Sequence, residues 1–306
     1  MILSVSRRTD IPNYYPEWFF NRIRDGRAYV RNPMNPRQVS DVPLAPEVVD
    51  CIVFWTKNPA RMIERLDELS AYNYYFQFTL TGYGRDMERG VPHKKEKMIP
   101  LFRELSQKIG KERVIWRYDP IIVNDRYTAK YHIRAFGQIA EALDGFTEKV
   151  VISFVDIYSK IRKNMDRIHM AELTGEEKLE MAAQMSRAAR RHHMSIGACA
   201  EETDFSQVGV ERNCCIDKRL IERLTGYPLK AAKDRNQRKE CGCIESVDIG
   251  TYNTCLNGCL YCYANYSEKS VAAACRDYDP DSPLLCGRVT AEDTVRPRMA
   301  AGSRHH

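Results

Sequence analysis

The chain has 306 residues, 43% hydrophobic and 29% charged, with a formal net charge of +6. That length allows one large domain, or a barrel plus an extension, and the composition is ordinary for a soluble globular protein. The charge is modest and suits an anionic substrate or cofactor without calling for nucleic acid, and no apolar run is long enough to span a bilayer. The start, Met1-Ile2-Leu3-Ser4-Val5-Ser6-Arg7-Arg8, lacks the basic region and apolar core of a signal peptide, so a cytoplasmic location without membrane attachment is expected.

The elements alternate. A strand is expected over Ile2 to Ser6, and a helix from Pro16 through Trp18, Phe19 and Ile23, with proline at its first position. The second strand covers Val48 to Trp55. The helix after Asn58-Pro59 sets Met62, Ile63, Leu66 and Leu69 on one face. The third strand is Tyr74 to Leu80, and its helix carries Met98, Leu101, Phe102, Leu105 and Ile109. A fourth strand at Val114 to Tyr118 is followed by a helix with Ile133, Phe136, Ala140 and Leu143. The fifth strand is Val150 to Val155. Its helix opens at Thr174, with Glu177 three residues on as a capping box, and runs towards His192. The sixth strand is Ser195 to Cys199.

Continuous apolar strands alternating with helices indicate parallel strands covered on both faces. The expected fold is α/β: a (β/α) barrel, incomplete and six-stranded, over residues 1–205. A doubly wound sheet is the alternative, weakened because no G-x-G-x-x-G follows the first strand. Residues 206–300 read as a loop-rich, cysteine-rich extension over the barrel mouth. Residues 301–306 read as a linker and tag remnant, which sets His305 and His306 aside as ligands.

The strands end in polar residues that a barrel would gather on one face: Arg7, Arg8 and Asp10, then Lys57, then Arg117 and Asp119, then Ser153 and Asp156, then Glu201 and Glu202. Arg7, Arg8, Asp10, Lys57, Arg117 and Asp119 are the candidate catalytic residues. The arginines and the lysine suit a carboxylate or another anion. The plainer alternative is an internal ion-pair network with Asp10, Asp119 and Asp156. His192-His193 ends a basic helix and reads as a solvated terminus. His93 and His132 have no partner motif. No Ser/His/Asp set, P-loop or HExxH is present.

Eleven cysteines are many, and all but Cys51 lie after residue 198. An odd number in a reducing compartment points away from disulfides and towards metal or catalysis. Cys255-Leu256-Asn257-Gly258-Cys259-Leu260-Tyr261-Cys262 has the spacing C-x3-C-x2-C. Three close thiolates can grip a 4Fe–4S cluster and leave one iron open, and Asn257-Gly258 gives the turn backbone freedom. Two alternatives stand: small core residues on one helix face, which Asn-Gly disfavours, and a zinc site completed by Cys241-Gly242-Cys243. Cys199, Cys215, Cys241 and Cys243 form a second candidate set, for another 4Fe–4S cluster or for zinc, with unligated thiols as the alternative. One of Cys214 and Cys215 would be spare. Cys51 reads as core, and Cys275 and Cys286 as free.

The motif, with Tyr261 before its last cysteine, resembles the radical S-adenosylmethionine (SAM) signature, and Tyr261-Cys262-Tyr263-Ala264-Asn265 is similar to the spore photoproduct lyase-like branch. The whole chain resembles a bacterial domain-of-unknown-function family noted for a C-terminal cysteine cluster like that of radical SAM enzymes. The matching stretches are Ser6-Arg7-Arg8-Thr9-Asp10, Phe54-Trp55-Thr56-Lys57-Asn58-Pro59, Arg117-Tyr118-Asp119-Pro120, Lys233-Asp234-Arg235-Asn236-Gln237 and Asp279-Pro280-Asp281-Ser282-Pro283-Leu284-Leu285.

The resemblance implies SAM as cofactor, bound through its amino and carboxylate groups to the open iron and cleaved reductively. It implies cofactor contacts from Tyr261, Tyr263 and Asn265, and a reductant such as flavodoxin or ferredoxin. The substrate would be a small or anionic molecule. In radical SAM enzymes the motif follows the first barrel strand, whereas here it follows the whole expected barrel, and no Gly-Gly-Glu stretch is evident. The reading from another class is a non-catalytic zinc or iron–sulfur protein that binds nucleic acid, motivated by the positive charge and the cysteine-rich tail.

Overall fold

The apolar runs become parallel strands. The computed structural model describes residues 1–157 and 159–298. In chain order its elements are strand β1 (Ile2–Val5), helices α1 (Ile11–Tyr14) and α2 (Pro16–Asp25), and strands β2 (Arg27–Asn32), β3 (Asn35–Pro43) and β4 (Cys51–Thr56). Next come helix α3 (Ala60–Ile63), strand β5 (Tyr74–Thr79), helix α4 (Ile99–Ile109), strand β6 (Val114–Ile121), helix α5 (Ala129–Ala142) and strand β7 (Lys149–Phe154). Helices α6 (Ser159–Arg167) and α7 (Gly175–Arg191) precede strands β8 (Ser195–Cys199) and β9 (Glu211–Asn213). The chain closes with helix α8 (Lys218–Thr225), strand β10 (Val247–Asp248), helix α9 (Glu268–Cys275) and strand β11 (Thr294–Pro297). The expected tag remnant at 301–306 lies outside the described residues.

The main sheet has eight strands in the order β10-β1-β4-β5-β6-β7-β8-β9, all parallel. From β1 to β9 the order follows the chain without reversal. The central switch point of a doubly wound sheet is therefore missing. Six of the eight strands are the expected ones. The other two, β9 and β10, come from the stretch read as loop-rich. They are the outer strands of that order, and no ladder joins them among the described residues, so the sheet has eight parallel strands where six were expected and shows no closure into a barrel. A smaller sheet pairs β2 antiparallel to β3 and adds β11 parallel to β3.

Strand alternation gives the sheet two faces. Along β4, Ile52 and Phe54 join the larger core with Phe19 of α2, Phe102 of α4, Phe136 of α5 and Met185 of α7. Cys51 and Val53 point the other way, where they pack with Ile2, Tyr75, Ile115 and Val151. That second face is covered by the segment 215–244 through Cys215, Ile216, Ile221, Leu229, Cys241, Cys243 and Ile244. Each fully buried aliphatic side chain there contributes about 1.5–3 kcal/mol. The extension is therefore the second layer of the fold.

Helix ends follow local chemistry. At α7, Glu177 N donates to Thr174 Oγ1 at 3.2 Å and Thr174 N to Glu177 Oε2 at 2.8 Å, the expected capping box. Helix α2 stops at Gly26, whose φ of 69° suits glycine. Among the described residues no helix is long and apolar enough to cross a membrane.

Candidate metal centres

Strand β10 lies parallel to β1, so the loop after it leaves at the carboxyl edge of the sheet, beside the loops after β1 and β4. Asp248 fixes that junction. Its carboxylate accepts Ser4 Oγ at 2.8 Å, Ser6 Oγ at 2.6 Å, Arg7 N at 2.8 Å and Gly250 N at 2.9 Å. The loop that follows carries Cys255, Cys259 and Cys262.

The loop is tied down along its length. Asn257 Nδ2 donates to Asp10 Oδ2 at 3.0 Å, and Asn257 Oδ1 accepts Tyr14 OH at 3.0 Å. Gly90 N donates to Asn257 O at 2.8 Å and Leu260 N to Met87 O at 3.0 Å. Asn164 Nδ2 reaches Leu260 O at 2.8 Å, Tyr263 OH reaches Arg7 O at 2.8 Å, and Asn265 Nδ2 reaches Cys255 O at 2.7 Å. Gly258 turns the chain at a φ of 62°.

Burial, and then the neighbouring thiols, pushes the Cys255 thiol up. Burial likewise raises Cys259 to about 12, outweighing nearby Lys57, and raises Cys262. Three such thiols become thiolates when a cation takes the protons' place. Soft thiolates suit iron–sulfur clusters or zinc. Among the described residues Asn265 Oδ1 is buried without a partner, an acceptor left open on the side chain that holds Cys255. The residues thus fit a cluster held by three thiolates, with a polar acceptor spare for a bound donor.

Beneath the loop lies a charged network. Lys57 Nζ donates to Glu88 Oε1 at 2.9 Å and to Tyr261 OH at 3.0 Å. Glu88 also accepts Thr81 Oγ1 at 2.9 Å and bonds Lys94 and the Tyr261 hydroxyl. Burial works to raise the Glu88 carboxyl, but Lys57 and Lys94 outweigh it and hold it at about 2. Glu88 and Lys94 are absent from the sequence reading, because Arg85-Asp86-Met87-Glu88-Arg89 looks like an exposed polar stretch.

The second thiol set lies on the sheet face covered by 215–244. Cys199 Sγ is 3.2 Å from Cys215 Sγ. Cys215 is hydrogen-bonded to Cys243, and Cys243 to Cys241. Hydrogen bonds from Cys199 and Cys243 pull the Cys215 thiol well below its ordinary value and raise those two donors. Tyr75 OH and Gln77 Nε2 hold Cys215 O at 2.7 and 2.8 Å. Of the adjacent pair, Cys215 joins the set while Cys214 stands beside Gly242, where a Cβ would lie 2.5 Å from its sulfur. Among the described residues, no group of three or more His, Cys, Asp or Glu is already placed to hold a metal ion. The structure brings together thiols in contact.

The six candidate catalytic residues divide. Arg117 Nη1 reaches Cys215 Sγ at 2.7 Å, and its other nitrogen pairs with Asp119. Arg7 lies over the Trp55 ring at 5.4 Å and Arg117 over the same ring at 5.2 Å. Arg117 touches the second set and Arg7 lies beside it, while Asp10 and Lys57 brace the three-cysteine loop. Arg8 sits at the rim over Tyr252. The plainer ion-pair alternative holds for Asp119 with Arg117, whereas Asp156 makes an exposed pair with Arg238 outside that network.

The remaining candidates fall elsewhere. Cys51 is core, as expected. Cys275 and Cys286 are free thiols, as read, and Cys275 Sγ lies 3.1 Å from Tyr15 OH. His132 is fully buried and bonded to Tyr118 OH and Ile122 O, both at 2.9 Å. A cavity of about 350 Å³ lined by Arg190, Met194, Ser206 and Glu211 opens at the amino-terminal ends of β8 and β9, away from the thiols.

Residues 2–264 match the family described as Domain of unknown function (DUF1848). The chain belongs to this family. The DUF1848 match contains both thiol sets and ends at Ala264, just past Cys262, whereas Cys275 and Cys286 lie beyond it. No curated protein matches the chain.

Proposed function

We propose that the chain is a radical SAM-like enzyme in which Cys255, Cys259 and Cys262 hold an open-site 4Fe–4S cluster. The observation that carries this reading is the placement of the loop. Three thiols are pinned by Asp10 and Asn257 over the carboxyl ends of β1, β4 and β5, the edge where parallel α/β folds place their chemistry. The resemblance of the C-x3-C-x2-C loop to the radical SAM signature supports it further.

Held by these three thiolates, such a cluster would supply the electron for reductive cleavage of SAM to methionine and a 5′-deoxyadenosyl radical. The chain's own residues bind and shield. Asn265 Oδ1 offers an acceptor for an amino group. Tyr261 packs with Tyr83, Met87, Ile122, Tyr127, Ile161 and Met165, which keeps water from the inner side of the loop. Arg8 and Lys160, both over Tyr252, present cations at the rim to an anionic substrate. The electron comes from a partner of the flavodoxin or ferredoxin kind.

Oxygen-free reconstitution followed by SAM and dithionite tests the reading. Iron at the loop and formation of 5′-deoxyadenosine are expected, both lost in Cys259→Ala. Protein that takes up no iron on these three cysteines, or colourless zinc-loaded protein that leaves SAM intact, refutes it and favours the non-catalytic metal protein.

A further inference from the structure

We propose that Cys199, Cys215, Cys241 and Cys243 form a second metal–thiolate centre, buried against the inner face of the sheet and separate from the Cys255 loop. The four sulfurs run in contact from Cys199 through Cys215 and Cys243 to Cys241. They come from three places in the fold: the end of β8, the loop after β9, and the turn Cys241-Gly242-Cys243. Nitrogen donors converge on two of them. Ile216 N donates to Cys243 Sγ at 3.3 Å, Asn213 Nδ2 to Cys215 Sγ at 3.4 Å, and Arg117 Nη1 to Cys215 Sγ at 2.7 Å.

The surrounding charge asks for an anion. Arg7 and Arg117 lie against the same indole, Trp55. Asp119 answers Arg117, but Arg7 Nη1 reaches Asp234 only at 4.0 Å, and Arg7 Nη2 is buried without a partner among the described residues. Desolvated guanidinium groups need negative charge beside them. Four thiolates around a divalent ion or a cluster carry net negative charge and compensate both.

Cys51 provides the contrast within the same apolar cluster. Its sulfur has a weak 3.7 Å contact to Ile52 O, as an inert core thiol should. The chemistry is that of a thiophilic metal, met by a zinc ion or by a second iron–sulfur cluster. Nothing in this inference depends on SAM chemistry at the other loop.

The test uses full-length protein purified without oxygen, compared with Cys259→Ser and with Cys241→Ser/Cys243→Ser. Zinc, iron and acid-labile sulfide are counted, and the metal's ligand shell is read by X-ray absorption. Cys259→Ser disables the first loop, so metal that remains reports the second centre whether or not the wild type cleaves SAM. The expected result is that Cys259→Ser retains one complement of metal per chain in an all-sulfur shell, and that the double variant loses it. Retained zinc identifies an ion, and retained iron with sulfide a cluster. A metal-free Cys259→Ser protein, a shell of nitrogen and oxygen, or undiminished metal in the double variant overturns the proposal. If the double variant does not fold, the ligand shell of Cys259→Ser alone decides.

Discussion

Asn257→Ala tests how the three-cysteine loop is held. Asn257 Nδ2 gives buried Asp10 a 3.0 Å hydrogen bond, and Asn257 Oδ1 accepts Tyr14 OH at 3.0 Å. Alanine removes these, together with a longer 3.4 Å bond from Asn13 Nδ2 to Asn257 Oδ1, and leaves the carboxylate one donor short. A hydrogen bond to such a group is worth about 1.5–3 kcal/mol. The backbone bond from Gly90 to Asn257 O survives, so the loop stays attached and opens more often. Taking about 2 kcal/mol, with tenfold per ~1.4 kcal/mol, the open population rises roughly 30-fold. Pulsed iodoacetamide on chelator-treated protein, read by peptide mass spectrometry at Cys255, Cys259 and Cys262, measures it. Core Cys51 is the internal control for global unfolding. Alkylation of the trio should accelerate about 30-fold while Cys51 keeps its wild-type rate. If the trio keeps its rate, or if Cys51 accelerates in step, Asp10 and Asn257 are not the latch.

Three further outcomes are expected. Glu88→Gln strands Lys57 and Lys94 as buried cations and should cost about 3–5 kcal/mol in urea unfolding; a change under 1 kcal/mol means that water or another anion compensates them. His132 is buried neutral, and burial lowers its pKa from 6.5 to about 4. The unfolded chain takes up that proton near pH 6.5 and the folded chain only near pH 4, so stability falls with pH across this window by about 3 kcal/mol. His132→Gln should lack that component of the pH–stability curve, and identical slopes for the two proteins contradict the assignment. Gly250→Ala places a Cβ 2.6 Å from Ser6 Cβ, forcing β1 and the turn after β10 apart at about 1–3 kcal/mol; wild-type thermal stability in this variant is the contrary result.

What the sequence made legible was local. The Thr174–Glu177 capping box and the strand Ser195–Cys199 form as read, because side-chain chemistry within a few residues decides them. The helix expected after Pro59 shortens to Ala60–Ile63 plus a 3₁₀ turn at Leu66–Leu69. Its apolar positions are buried as foreseen, but spacing of three fits a 3₁₀ turn as well as an α-helix. The second strand starts at Cys51 because Val48 and Val49 turn back onto Ala45 O. The hairpin β2–β3 escaped notice because its polar tip holds Pro33 and Pro36, which read against a strand. Strands β9 and β10 have three and two residues, too few for any period to show. For the sites, residue type named the thiols. Which of them touch, and that Glu88 and Lys94 brace the loop, depends on contacts between distant segments that no local pattern encodes.

The late position of the cysteine loop in the chain has a geometric resolution. In a parallel sheet, the edge at which a loop emerges is set by strand direction, not by order in the sequence. Strand β10 is two residues long, yet it pairs parallel with β1 in the register Leu3–Val247 and Ser4–Asp248. Asp248 then takes hydrogen bonds from Ser4, Ser6 and Arg7, locking the two strand ends together. The loop after β10 therefore emerges where a loop after β1 would, and Asn257 reaches Asp10 a few residues past the end of β1. Seen from the sheet, a motif placed after the last strand reaches the same edge as one placed after the first. The cost of the arrangement is the long return from β9 to β10. The same segment covers the inner face of the sheet and delivers Cys215, Cys241 and Cys243 beneath Arg117. One stretch of chain thus builds the second thiol set on its way to positioning the first.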